Sequence, residues 1–271
     1  MRNFRRMLAL LLSFIMVCSS VSLTAAAEEN SRADEGSIYK IGKIAEGSQI
    51  VIDAKSDEEA WDMALSRQLQ ADDFTNIGST ATTPVPFESG EIKFLWSDRG
   101  LYFYVLYNDA TENNRLDIAN IAYSDNVGLW IYPSAEAVFG EQLYVRLVPV
   151  LADGKPHIVQ FQKTEDLADS EISASFMENG SAYQMEGFIP TSAFSEIGVN
   201  FSENTELFIY TSVLDGKIND DGGTVYTEYV DSASAPWLDG YNAKKYVLSM
   251  ESGEIPVEPE IPPERIFEQE E

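Results

Sequence analysis

The chain of 271 residues holds one cysteine and one histidine, and each scarcity excludes chemistry. Cys18 sits in an apolar N-terminal run, so the remainder has neither disulfide nor thiol, and its stability must come from a core or from bound ions. His157 follows Gly154 and Pro156 in a turn and reads as a solvated loop residue, with none of the seven methionines as a companion for haem ligation. No G-x-S-x-G, H-E-x-x-H or phosphate-loop motif appears, and paired carboxylates mean little among 45 acidic residues, so no residue stands out for catalysis. Basic residues are also few. Eighteen Lys and Arg against 45 Asp and Glu leave a formal net charge of −27, which argues against nucleic acid and anionic lipid as partners. Long apolar runs are lacking beyond the N-terminus, so membrane insertion is not expected.

That N-terminus carries Arg2, Arg5 and Arg6, an apolar run from Met7 to Cys18, and small residues ending at Ala27. It reads as a secretory signal over residues 1–27, which places the protein outside the cell. Val17 stands before Cys18 where a lipid anchor wants Gly or Ala. Removing the signal takes away three arginines and no carboxylate, which deepens the charge from −27 to −30. Residues 28–37 form a polar lead and 38–250 a domain dense in β-formers. Residues 251–271 hold eight glutamates and four prolines, a tail or linker that cannot bury a core.

Within 38–250, short apolar or alternating runs recur between turn signals. They predict strands at 49–52, 91–97, 101–108, 126–132, 142–150, 158–163, 172–177, 182–190, 206–214, 224–229 and 246–250. Only 58–66 and 191–197 suggest helical turns. The fold class is therefore all-β, an antiparallel β-sandwich in one domain.

Six landmarks follow in order: IVIDAKSDEEAW from Ile50, IKFLWSDRGLYFYVLYND from Ile92, YSDNVGLWIYP from Tyr123, YQMEGFIPTSAF from Tyr183, KINDDGGTVY from Lys217 and PWLDGYNAKKYVLSM from Pro236. Together they resemble a family 9 carbohydrate-binding module, within the DOMON-like β-sandwiches. The resemblance implies non-catalytic binding of cell-wall polysaccharide such as cellulose or xylan, or of their oligosaccharides, alongside a glycoside hydrolase partner. Two departures stand out: Ala54 takes the place of a favoured Gly, and Gly128 that of a glutamate which related modules use in the sugar site. An extracellular adhesion sandwich without a sugar site is the alternative.

A sugar presents an apolar C–H face and a rim of hydroxyls, so its site wants flat rings and planar hydrogen-bonding groups. Trp61 and Trp96 read as packing residues, whereas Trp130 is ambiguous. Trp237 lies in a polar loop beside Asn242, where core packing explains it poorly, and its position is similar to that of a stacking tryptophan in the family. Tyr123 falls near the second stacking position. Along the strand at 142–150, Gln142, Tyr144 and Arg146 alternate with Leu143, Val145 and Leu147, which puts the former set on a solvent-facing sheet surface. There the Arg146 fork suits adjacent hydroxyls or, more readily, a cross-strand carboxylate. Asp53 and Asp57 in the opening turn, with Asp220 and Asp221 in the later loop, are hard oxygen ligands. The resemblance implies structural calcium for them, and Asp53 and Asp57 also suit a capped turn.

Overall fold

A computed structural model describes residues 37–81, 88–109, 111, 115–177, 182–218, 223–232 and 239–254. The expected signal at 1–27, Trp237, Asp220 and Asp221 lie outside the described residues. Among the described residues fourteen strands are formed: β1 Ile38–Lys43, β2 Leu65–Gln70, β3 Thr75–Ser79, β4 Ser89–Ser97, β5 Gly100–Asn108, β6 Asn126–Tyr132 and β7 Leu143–Val148. The others are β8 His157–Gln160, β9 Glu165–Asp166, β10 Glu171–Phe176, β11 Tyr183–Pro190, β12 Glu206–Ile218, β13 Thr224–Val230 and β14 Lys244–Ser249. Helical structure among the described residues is limited to short turns, including Glu59–Met63, Ile118–Tyr123 and Thr191–Ser195.

The strands run in the order β10-β11-β5-β4-β1-β14-β12-β6-β7-β8-β9, with β2 on β4, and β13 linking β12 to β3. This path curls until its two ends face each other. One core cluster takes Phe94, Phe103, Val105, Tyr107 and Met185 from the first half, and Val127, Leu129, Val145, Leu207 and Val213 from the second. The fold is thus the expected sandwich, closed at one place by a parallel element. β1 pairs parallel with both β14 and β4 and joins the halves, which makes the sheet mixed.

Period two explains most strands, and two departures have physical causes. Residues 49–52 form no strand. The Val51 N–H donates to Glu58 Oε1 at 2.9 Å, and the N–H groups of Asp53 and Ala54 donate to Glu186 Oε2 at 2.8 and 3.1 Å. Carboxylates thus replace a ladder partner for this segment. Conversely, β2 begins inside the stretch expected to be a helical turn, because Leu65, Arg67 and Leu69 all point inward. Arg67 pairs with Asp231 at 2.6 Å and donates to Thr211 Oγ1 at 2.9 Å, so a buried charge is matched by a buried charge.

Trp96 lies in the main core, its indole N–H donating to Ser249 O at 2.8 Å. Trp61 is buried too, but outside the sandwich. With Ala60 it covers Leu95, Tyr102, Tyr104 and Phe188 on the outer face of the first half, and its indole N–H donates to Glu186 Oε1 at 3.1 Å. After Met250 the chain keeps to the domain through Glu254, which exchanges backbone hydrogen bonds of 3.0 and 3.1 Å with Lys40.

Candidate functional site

The alternation along β7 holds: Gln142, Tyr144 and Arg146 share the face opposite the core. That face is not solvent-facing, however; the three residues are 5, 1 and 3 % exposed. A second layer explains the difference. Trp130, Tyr132, Tyr144, Tyr210 and Val230 form their own cluster on this side, roofed by Ile77 of β3, Phe161, Phe208 and Ala243. Period two reports which face a residue takes, and a covering strand such as β3 leaves no trace in it.

Within this layer Trp130 is a packing residue, stacked on Tyr144 with ring centroids 3.5 Å apart and planes 17° from parallel. Gly128 makes room for the pair. A Cβ there would stand 2.4 Å from Ser212 Oγ and 3.3 Å from the Tyr144 ring. The position where the family's glutamate would project is therefore filled by Tyr144 and Ser212.

Arg146 is fixed from four sides. Its Nη1 donates to Asn126 Oδ1 at 3.0 Å and its Nη2 to Glu228 Oε1 at 3.2 Å, while the guanidinium lies 4.6 Å from the Phe161 ring centre and 5.2 Å from that of Tyr144. The side chain spans β6 and β12 to reach β13, so a planar cation is held rigid by two planar acceptors and two rings. Burial lifts the Tyr144 phenol well above its ordinary range and keeps it neutral.

At the edge of this group the half-buried Tyr123 and Tyr226 meet edge to face, with centroids 5.7 Å apart. Burial, then the Glu228 charge, raises the Tyr226 phenol, whereas Arg146 acts the other way. The structure thus brings Tyr123 together with Arg146 and Tyr144, through Tyr226. Three buried donors of the layer, Trp130 Nε1, Arg146 Nε and Gln142 Nε2, make no hydrogen bond to the protein.

Gln142 lies beyond Tyr144 and accepts the Gly140 N–H. Asn242 is exposed at the far end, its backbone N–H donating to Tyr210 Oη at 3.2 Å, and Tyr210 meets Tyr132 edge to face. It therefore shares the layer with Tyr144 without adjoining the Tyr123 rim. Asn126, Glu228, Tyr226 and Phe161 were not singled out by sequence. Asn126, Tyr226 and Glu228 share the face of Arg146 through pairing of β7, β6, β12 and β13, whereas Phe161 joins them from the turn after β8.

Asp53 and Asp57 are both exposed, and Lys55 Nζ lies 2.7 Å from Asp53 Oδ2. An ammonium already answers the first carboxylate, so this turn fits a calcium ion poorly. His157 is held rather than solvated. Its Nδ1 lies 2.8 Å from Asp166 and its Nε2 3.1 Å from Asp153, beside an open groove of about 640 Å³ that Ile52, Lys155 and Glu171 help to line. Burial opposes its charge, but the two carboxylates prevail and raise its pKa.

No family model matches the chain, and no curated protein matches it. Among solved structures, it is similar to a family 9 carbohydrate-binding module from Caldicellulosiruptor kristjanssonii in complex with cellotriose, at 14 % identity and a TM-score of 0.54 over 82 % of this chain and 100 % of that one. A glucose complex of a family 9 module from the same organism gives 13 % identity and a TM-score of 0.54 over 79 % and 97 %. At these identities the likeness establishes the fold, which is that of the family 9 modules.

Proposed function

We propose that this chain is a non-catalytic carbohydrate-binding domain that works outside the cell on β-linked glucan or xylan chains of the plant cell wall, in company with a glycoside hydrolase. The observation that carries the reading is the rigid Arg146, Asn126 and Glu228 group beside the Tyr123 and Tyr226 rings. Planar donors and acceptors next to half-exposed rings suit the hydroxyl rim and apolar face of a pyranose. Neighbours of the same fold carry cellotriose and glucose, which supports a neutral glucan as ligand. The acidic surface is consistent with a neutral polymer and unfavourable to a polyanion. Trp237, outside the described residues, is proposed as a further platform from the same resemblance.

Arg146 in this reading orients the sugar while the tyrosine rings supply contact area. The test is retention on insoluble cellulose and xylan together with titration by cellobiose and xylobiose. Wild type is expected to bind, and Tyr123→Ala and Trp237→Ala to bind at least about tenfold more weakly. A wild type that retains no glycan leaves an adhesion sandwich as the better account, and undiminished binding by Trp237→Ala removes that platform alone.

A further inference from the structure

The two edges of β1 are paired unequally. One runs parallel with β14 from Ile38 to Gly42, whereas the other meets β4 only at Gly42 and Lys43. The cause lies in β2, which occupies the same edge of β4: Leu65 stands opposite Phe94, and Gly42 opposite the next residue, Leu95. β1 must therefore diverge from β4 before Gly42. A wedge opens there between the first half of β1 and residues 63–65, which lead into β2.

Residues 251–254 fill that wedge. The Lys40 N–H donates to Glu254 O at 3.0 Å, the Glu254 N–H donates to Lys40 O at 3.1 Å, and the Gly253 N–H donates to Met63 O at 2.8 Å. Backbone groups that β4 cannot reach are thus satisfied on both walls. The fit depends on two glycines. A Cβ on Gly42 would stand 2.6 Å from Met63 O and 2.9 Å from Gly253 N, and one on Gly253 would stand 2.1 Å from Leu65 N. All of these neighbours are backbone and cannot swing aside as a side chain would. Lys40 Nζ adds a charged contact at each end of the segment, 3.4 Å from Glu251 Oε2 and 2.8 Å from Glu254 Oε2. Both carboxylates are exposed, so these pairs select the segment more than they hold it.

We infer that the wedge between β1 and residues 63–65 is a strand-accepting cleft, and that residues 251–254 dock in it as a clip. The partner it fits is a short extended segment with glycine at its third position, to pass the Leu65 backbone, and carboxylates at its first and fourth, to meet Lys40. Recognition by backbone hydrogen bonds along a strand edge, with side-chain identity read at a few positions, is the usual logic of strand addition. The clip completes the seam at the place where β2 displaces β1 from β4. It also anchors the start of the Pro- and Glu-rich tail, which departs beside β1 instead of swinging freely from the end of β14. Composition assigns residues 251–254 to that tail, but their backbone makes them part of the sheet.

The clip is independent of the sugar reading and is tested without sugar. In hydrogen exchange on the full chain, the Gly253 and Glu254 amides are expected to exchange at least about a hundredfold more slowly than those of residues 257–271. Gly253→Val, which the cleft cannot admit, should lose the Glu254 protection and lower Tm by roughly 5–10 °C. A synthetic peptide of residues 250–256 should then restore the Tm of this variant saturably, while the same peptide carrying Gly253→Val should not. Glu254→Gln keeps every backbone bond and should retain the amide protection. Unprotected Gly253 and Glu254 amides in wild type overturn the inference, as does a Gly253→Val chain with Tm and protection unchanged. No response to either peptide, or an equal response to both, also overturns it. Should Gly253→Val not fold, the wild-type exchange rates still decide.

Discussion

Glu186 is the residue on which the first half of the molecule turns. It sits on β11 with its side chain on the outer face, and its carboxylate accepts the N–H groups of Asp53 and Ala54 and the indole N–H of Trp61. It thereby ties the IVIDAKSDEEAW segment to the sheet. Each of these partners is a donor, so an amide in its place must set an NH₂ group against an N–H. Glu186→Gln is expected to destabilise the fold by about 2 kcal/mol at pH 7, read from chemical denaturation. An unchanged midpoint would mean that the segment is held by the apolar contacts of Trp61 alone. Gly128 is the second such residue. Because Tyr144 and Ser212 fill the space a side chain would take, Gly128→Glu should cost about 3 kcal/mol or more and recover no sugar contact. Improved binding in that variant would show that the layer opens. These two positions mark the limits of the sequence. The motifs containing Trp61 and Glu186 were legible as landmarks, yet nothing in either string says that one carboxylate joins them. Ala54, read as a departure from Gly, does sit at φ 70, in the region that favours glycine.

At the level of elements, apolar alternation located β4 to β7 and β10 to β14 closely, because each has a face in the core. It failed for β1, which no expected strand covers, for β2, whose inward Arg67 breaks the apolar pattern, for β3, a short edge strand with no fully buried residue, and for the two-residue β9. Missing β3 was the costliest failure for the candidate site, since β3 and Phe161 roof the face that β7 was expected to show to water. The His157 clip is likewise invisible in sequence, since it binds the turn at Asp153 to β9 through Asp166. Its pKa is raised in the folded state, so its contribution to stability is fully present below the unfolded value of about 6.5 and is lost as pH rises through the folded value. Wild-type Tm minus that of His157→Gln should therefore shrink as pH increases through this window. A constant difference would show that the clip does not depend on the imidazolium charge.

For the whole molecule, two halves of a curled sheet enclose one core and carry an aromatic layer on the outside of the second half. The first half uses its outer face to hold the opening segment, and the second half's layer carries the half-buried Tyr123 and Tyr226 at its edge. Fold class was readable from strand spacing and landmark order. Of the candidate site, Tyr144 and Arg146 were legible as sharing a face and Tyr123 lies at its edge against Tyr226, while the partners that fix Arg146 come from strands distant in sequence. The central claim is that this group binds sugar. Calorimetric titration of the full chain with cellobiose, run beside Arg146→Lys, tests it most directly. The account predicts saturable binding by wild type and a loss of at least about tenfold when the fork becomes a point charge. Equal binding by both proteins, with the fold intact, would contradict it.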